Sequence, residues 1–209
     1  RQSVVHRSYI NEHPDFELNH NERLEFLGDA VLELIVTENL FRRFPETAEG
    51  DLTNWRASLV NAKMLSDVAG EIKINEYLYL SKGEAKDKNS KARQYILANA
   101  LEALIGAIYL DQGISSAEKF IQAKIISKFD YILSHKLYLD PKSRFQEQSQ
   151  EKTGATPHYK VLKETGPDHA KIFEVGLYMG DEQVAKGEGS SKQEAQVDAA
   201  ARGLKKMNW

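Results

Sequence analysis

The chain has 209 residues, 41% of them hydrophobic and 28% charged, with a formal net charge of −3 and no cysteine. That is enough for one large or two modest domains of ordinary globular composition; it excludes disulfides, thiolate metal sites and cysteine nucleophiles, and it fits a reducing cytoplasm. No window approaches the ~18 consecutive apolar residues of a membrane span, and the near-neutral charge means that a polyanion must be met by local patches or bridging metals.

Arg1 opens no signal-peptide pattern, and Arg1 to Tyr9 reads as the tail of a helix whose beginning lies upstream. Asn11 to His20, with Pro14, Asp15 and Asn19, reads as a loop. A long apolar-periodic helix follows, from Asn21 to about Phe44, where Pro45 stops it. Glu46 to Asp51 is expected to be a loop. Leu52 to Val60 resumes a helical pattern that continues to Gly70, a C-terminal stop. Ser81 to Lys91 is a charged loop of small residues. Arg93 to about Leu110 is a second strongly periodic helix, with Leu97, Leu101, Leu104 and Ile108 inward and Gly106 allowing close approach to a neighbour. Ser115 to Leu133 reads as one further amphipathic helix capped by Ser115 or Ser116.

The texture then changes. Lys142 to Lys152 is helical, and alternating segments follow at His158 to Glu164, Lys171 to Met179 and Gln183 to Glu188. Turn signals separate them at Gly166-Pro167-Asp168 and Gly180-Asp181. The last helix is Ser191 to Met207, with Ser191 and Glu194 spaced as a capping box and Ala195, Ala199, Ala200 and Leu204 inward. The expectation is an all-α domain over residues 1–136, followed by a small α+β (α-β-β-β-α) domain over residues 140–209.

On the first long helix Glu22, Glu25 and Asp29 fall at i, i+3 and i+7, within roughly 60° of one another, opposite Leu24, Leu27, Val31, Leu34 and Ile35. Three carboxylates on one stripe repel, so the stripe is a solvated face, a partner for lysine, or a seat for a divalent metal. The second helix offers an answer, because Asn99 and Glu102 stand at i, i+3. Glu25, Asp29, Asn99 and Glu102 together make an oxygen-rich set suited to Mg²⁺, or Mn²⁺. No single spacing here is specific.

Asn21-Glu22-Arg23-Leu24-Glu25-Phe26-Leu27-Gly28-Asp29 matches, residue for residue, the signature of the ribonuclease III family. His6-Arg7-Ser8-Tyr9, Glu49-Gly50-Asp51 and Leu101-Glu102-Ala103-Leu104-Ile105-Gly106 agree with it. The C-terminal module resembles a double-stranded-RNA-binding domain, through Pro141-Lys142-Ser143-Arg144-Phe145-Gln146-Glu147 and Gly187-Glu188-Gly189-Ser190-Ser191-Lys192. The resemblance covers essentially the whole chain and is to the bacterial type. It implies metal binding at Glu25, Asp29, position 99 and Glu102, with Asp29 and Glu102 most directly tied to hydrolysis. Glu22 and Glu49 match further acidic positions of the cleft. It also implies a homodimer through the endonuclease domain, cutting duplex RNA to leave 5′-phosphate and 3′-hydroxyl ends with a short 3′ overhang.

One position departs from the family motif: residue 99 is Asn where the motif has Asp. The amide keeps the shape but loses a negative charge and turns one acceptor into a donor. An engineered substitution, a binding-only variant and a tolerated change all fit. The expectation is a chain that binds duplex RNA but cuts it poorly.

A duplex RNA presents 2′-hydroxyls in a shallow minor groove. Gln146, Glu147 and Gln150 on the module's first helix suit those hydroxyls, and His169 suits a second minor groove. Ser190, Ser191 and Lys192 at a helix N-terminus suit a phosphate. Gln193 and Gln196 stand where the family usually has further basic residues, and residues 140–209 carry eleven Lys and Arg against eleven Asp and Glu. A shallow salt dependence is therefore expected.

The six histidines show no metal-ligand spacing, and Gly187-Glu188-Gly189 reads as a turn. Glu33 reads as solvated, Trp55 and Tyr109 as core. Phe16 and Phe26 suit either a dimer interface or the core, and the lysines between Lys82 and Lys91 suit a solvated loop or phosphates beside the cleft. Two other functions compete: a duplex-RNA-binding protein that does not cut, and a helical metal phosphohydrolase acting on small nucleotides. The second lacks its usual histidines.

Overall fold

Val5 crosses the start of the chain as an isolated strand residue, bridged in parallel to Tyr79 after a single 3₁₀ turn at Gln2–Val4. The expected helix tail is therefore a short extended crossing followed by helix α1 (Arg7–Glu12), with His6 as its N-cap. The computed structural model describes residues 1–87, 90–167 and 171–209 and divides into two units, Arg1–Tyr138 and Leu139–Trp209.

In the first unit α2 (Glu22–Arg43) ends just before Phe44-Pro45, because the residue ahead of a proline is pushed out of the α region. Helix α3 (Glu49–Val60) begins three residues earlier than expected and takes Glu49 and Asp51 into its first turn, where the helix dipole favours carboxylates. It does not run on. Asn61 is extended, and its side chain accepts from the Met64 N–H at 2.9 Å to start a separate helix, α4 (Ala62–Glu71), which carries Gly70 inside it. The expected loop at Ser81 contains a short helix, α5 (Lys82–Lys86). Helix α6 (Lys91–Gln112) is capped by Ser90, and Gly113, rather than Ser115 or Ser116, precedes α7 (Ile114–Lys124). The predicted last helix is broken at Ile125 into α7, a 3₁₀ turn and α8 (Phe129–Ser134).

The core of this unit lies around α2 and α6. Leu32, Val36 and Leu40 of α2 meet Leu101 and Ile105 of α6, with Leu59, Leu65, Ile121 and Phe129 closing the sides. Each such side chain stabilises by ~1.5–3 kcal/mol through burial. Ala98, Ala100 and Ala103 are also buried, so α6 is enclosed on more than the one face its leucines suggest. Leu34, expected inward, is 60% exposed. Trp55 is core as expected, edge-on to Phe44 at 5.0 Å and tilted against Phe129 at 5.5 Å. Phe16 packs within the chain against Tyr9 and Tyr79.

The second unit runs α9 (Pro141–Thr153), β1 (Pro157–Thr165), β2 (Ile172–Met179), β3 (Glu182–Gly189) and α10 (Lys192–Met207). The strands form an antiparallel sheet in the order β1-β2-β3. Its core gathers Phe145, Leu177, Val184, Ala199, Ala200 and Leu204. Gly187 and Gly189 are not turn residues but the end of β3, pressed under α10. A Cβ on Gly187 would stand 2.1 Å from the Ala199 nitrogen, so only glycine lets helix and strand meet this closely.

Candidate active site and nucleic-acid interface

The acidic site begins with the crossing of α2 and α6. A Cβ on Gly28 would lie 1.8 Å from the Glu102 carbonyl oxygen, and one on Gly106 would lie 2.2 Å from that of Leu24. Two glycines thus bring the backbones into contact and set the side chains of Glu25 and Asp29 beside those of Asn99 and Glu102. The N-terminus of α2 is fixed by Asn21, 3% exposed, whose amide donates to the Ser3 carbonyl at 3.1 Å while its own N–H donates to Val5. Asn21 was read only as part of a motif. Its buried clamp left no sign in periodicity.

The electrostatics are those of crowded like charges. Burial first, then Asp29, Glu25 and Glu33, push the Glu102 carboxyl up to about 8. Burial also raises Glu25, aided by Glu22 and Asp29 and opposed by a hydrogen bond from the Asn99 side chain. A carboxylate only accepts, so the Asn99 amide is the donor, and the residue that departs from the motif stabilises ionised Glu25. Three carboxylates and an amide oxygen suit a hard divalent cation, and the negative neighbours of Glu102 are the charge such an ion offsets. Among the described residues no three His, Asp or Glu side chains converge tightly enough to hold an ion.

The other acidic positions separate from this group. Glu22 is taken by the Arg7 guanidinium in a two-pronged ion pair that holds its carboxyl below the usual range. Glu49 is exposed on α3 and accepts from the Thr53 hydroxyl at 3.0 Å. Glu33, read as solvated, is instead paired with Arg56 at 3.0 Å and acts on Glu102. An arginine from another helix carries no sequence signal that pairs it with Glu33. Phe26 is 82% exposed and borders, with Leu24 and Leu110, an open hollow of about 950 Å³.

In the second unit Gln146, Glu147 and Gln150 are exposed on α9. Ser190, Ser191 and Lys192 are exposed at the start of α10, but they are engaged. The Ser191 hydroxyl accepts from the Glu194 N–H at 3.1 Å. The Glu194 carboxylate reaches back to the Ser190 N–H at 3.1 Å, one residue earlier than a capping box predicts. Lys192 faces Glu164 at 3.4 Å and lies over the Phe173 ring. Lys142, which sequence reasoning passed over, donates to the Gln196 side chain at 2.8 Å above the Tyr159 ring. His169 lies outside the described residues.

Comparison with known proteins accounts for both units. Residues 1–129 match the ribonuclease-III-like family model, and residues 141–207 match the double-stranded RNA binding motif. Ribonuclease 3 of Enterococcus faecalis is 43% identical over 207 residues, 99% of this chain and 89% of that protein. Ribonuclease 3 of Carboxydothermus hydrogenoformans is 44% identical over 202 residues, 97% of this chain and 86% of that protein. Among solved structures, the nuclease domain of ribonuclease III from Campylobacter jejuni, studied for flexibility in a region involved in dimer formation, superposes with a TM-score of 0.53 at 37% identity. It covers 62% of this chain and 85% of that one. No described helix is long and apolar enough to cross a membrane. With an all-α unit bearing a carboxylate cluster on two crossing helices, and an α-β-β-β-α unit matching an RNA-binding motif, the chain belongs to the ribonuclease III family.

Proposed function

We propose that this chain is an endoribonuclease for double-stranded RNA, working as a cytoplasmic homodimer in the processing of structured RNA precursors such as ribosomal RNA. The observation that carries the reading is the carboxylate cluster of Glu25, Asp29 and Glu102, where burial first and then the neighbouring negative charges raise Glu102 to about 8, in a chain that continues into a double-stranded RNA binding motif. Glu25, Asp29, Asn99 and Glu102 are the residues that would hold Mg²⁺, or Mn²⁺. When bound, such an ion supplies positive charge at the phosphate and lowers the pKa of a water. Asp29 and Glu102 are the groups most directly engaged at the reacting phosphate. Cleavage breaks the P–O3′ bond, leaving a 5′-phosphate, a 3′-hydroxyl and a short 3′ overhang.

Gln146, Glu147 and Gln150 address 2′-hydroxyls of one minor groove and His169 those of another. Lys192 and the N–H groups beside Ser190 and Ser191 address a phosphate, which must compete with Glu164 and Glu194 for them. Glu22, already neutralised by Arg7, shapes the cleft rather than the ion site, and Glu49 contributes charge at its edge. The dimer reading rests on Phe26, an aromatic ring 82% exposed beside an open hollow that Leu24, Leu27 and Leu110 line together with polar residues such as Arg7, Glu22 and Arg23. Phe26→Ala is expected to shift the chain to a monomer in sedimentation; an unchanged dimer speaks against that interface.

Asn99 makes this a weakened nuclease: it offers one oxygen where the family motif offers a carboxylate, and its amide is turned toward Glu25. A duplex-RNA-binding protein that does not cut is the second reading, and Asn99 is the observation that favours it. An end-labelled RNA duplex incubated with this chain and Mg²⁺ distinguishes them. Slow release of ends bearing 5′-phosphate and 3′-hydroxyl supports the first. Tight binding with no product at any time supports the second.

A further inference from the structure

An acidic cleft repels the polyanion it is meant to admit, so cations must be held at its rim. The segment carrying α5 has the construction of such a rim. Arg93, in the first turn of α6 and 4% exposed, donates from Nε to the Asp87 carbonyl at 2.9 Å and from Nη2 to the Glu84 carbonyl at 2.6 Å. These carbonyls belong to the C-terminal end of α5, where unsatisfied peptide oxygens gather negative charge, so a buried guanidinium there is compensated by charge-assisted bonds. Ser90 adds a second tie, its hydroxyl accepting from the Arg93 N–H at 3.1 Å and its N–H donating to Asp87 Oδ1 at 3.2 Å.

The other end of α5 is fastened to α1. The Ser81 N–H donates to Ser8 Oγ at 3.1 Å and the Lys82 N–H to Glu12 Oε2 at 3.0 Å. Ser8 Oγ also meets His6 Nδ1 at 2.8 Å, and His6 lies within the fields of Glu84, Glu22, Arg93 and Arg7. The segment is therefore held against α1, whose N-cap His6 also feels Glu22 at the start of α2, with Lys82 and Lys86 exposed on it.

We propose that Arg93 is a positioning residue for RNA capture: by strapping the α5 carbonyls to α6 it holds Lys82 and Lys86 where they meet phosphates of the duplex entering the cleft. The proposal rests on duplex RNA being the substrate. A lysine in place of Arg93 cannot span both carbonyls, because its ammonium is a single point of donation.

The test uses the whole chain in chelator, reading RNA-duplex affinity by fluorescence anisotropy across a salt series and segment order by limited trypsin digestion. Arg93→Met and Arg93→Lys are expected to speed cleavage after Lys82 and Lys86, to weaken RNA binding about three- to tenfold, and to flatten the log–log salt slope by roughly one to two. The double substitution Lys82→Gln/Lys86→Gln is expected to reproduce the affinity loss in the parent and to add nothing in the Arg93→Met background. Faster trypsin cleavage with unchanged affinity and slope overturns the proposal, as does full additivity of the lysine changes with Arg93→Met. Should Arg93→Met not fold, Lys82→Gln/Lys86→Gln decides alone, and parent-like affinity overturns the proposal. A parent chain that binds no duplex RNA contradicts the proposed substrate instead.

Discussion

The two units treat charge in opposite ways. In the first, α2 and α6 meet closely at Gly28 and Gly106, and among the described residues the charges acting on Glu102 are all negative. In the second, several exposed cations are answered within the fold, Lys192 by Glu164, Lys186 by Glu174 and Arg202 by Asp198. Repulsion built into a rigid crossing is relieved by a bound cation, so it favours an ion. Exposed pairs cost little to break, typically under ~1 kcal/mol, so they can be exchanged for phosphate contacts without loss of the fold. One unit is poised for chemistry and the other for reversible contact.

Breaking the crossing tests the first half most severely. Gly28→Val puts a side chain into the Glu102 carbonyl, and is expected to cost about 3–5 kcal/mol or to prevent folding of the nuclease unit. A thermal scan should show that loss while an RNA-binding unit remains folded. A variant with an unshifted transition contradicts the close contact.

Removing the repelled charge comes next. Glu102→Gln is expected to lower duplex cleavage by about 10²–10³-fold while leaving RNA affinity in chelator unchanged. The same variant sharpens the electrostatic argument. Glu102 binds its proton more tightly folded than unfolded, so its contribution to stability is greatest below the ordinary carboxylate range. That contribution falls as pH rises from the usual value of 4.5 toward about 8 and is gone above it. In chelator the melting temperature of the parent should therefore fall across that window relative to Glu102→Gln, and parallel curves would contradict the crowding of Asp29, Glu25 and Glu33 on Glu102.

Smaller effects probe the second unit. Ser191→Ala removes the cap on α10 and is expected to cost about 1 kcal/mol in denaturant unfolding of that unit. Lys192→Gln is expected to weaken RNA binding only about two- to fivefold with a slightly flatter salt slope, because the charge it removes is already shared with Glu164. A loss of a hundredfold would mean that the lysine is far less compensated than its ion pair indicates.

Much of this was legible in the sequence because it follows from local rules. The 3.6-residue periodicity around Val31 and Leu101, the alternation in the strands and the Ser191 cap all answer to neighbours a few residues away. What escaped depends on partners far along the chain. Asn61 ending one helix and capping the next was hidden within an unbroken helical pattern, and Ile125 breaks a pattern that periodicity alone would continue. Leu34 satisfied the apolar stripe yet faces outward, since a long helix has more apolar positions than its neighbours cover. Gly187 looked like a turn because glycine marks turns as often as it marks a close helix–strand contact. At the acidic site, the family motif nominated Glu25, Asp29, Asn99 and Glu102, where no single spacing was specific, and the α2–α6 crossing makes them neighbours. The sequestering of Glu22 by Arg7 and the reach of Glu33 to Glu102 were not, because each depends on a tertiary partner.

The proposed role of Asn99 is that its amide slows the cutting of a duplex RNA which the chain still grips. The direct measurement is single-turnover cleavage of an end-labelled RNA duplex in Mg²⁺ by the parent and by Asn99→Asp, at saturating protein, with binding measured in parallel in chelator. Equal affinities are expected, with cleavage faster by about tenfold or more in Asn99→Asp. Equal cleavage rates in the two proteins would contradict it.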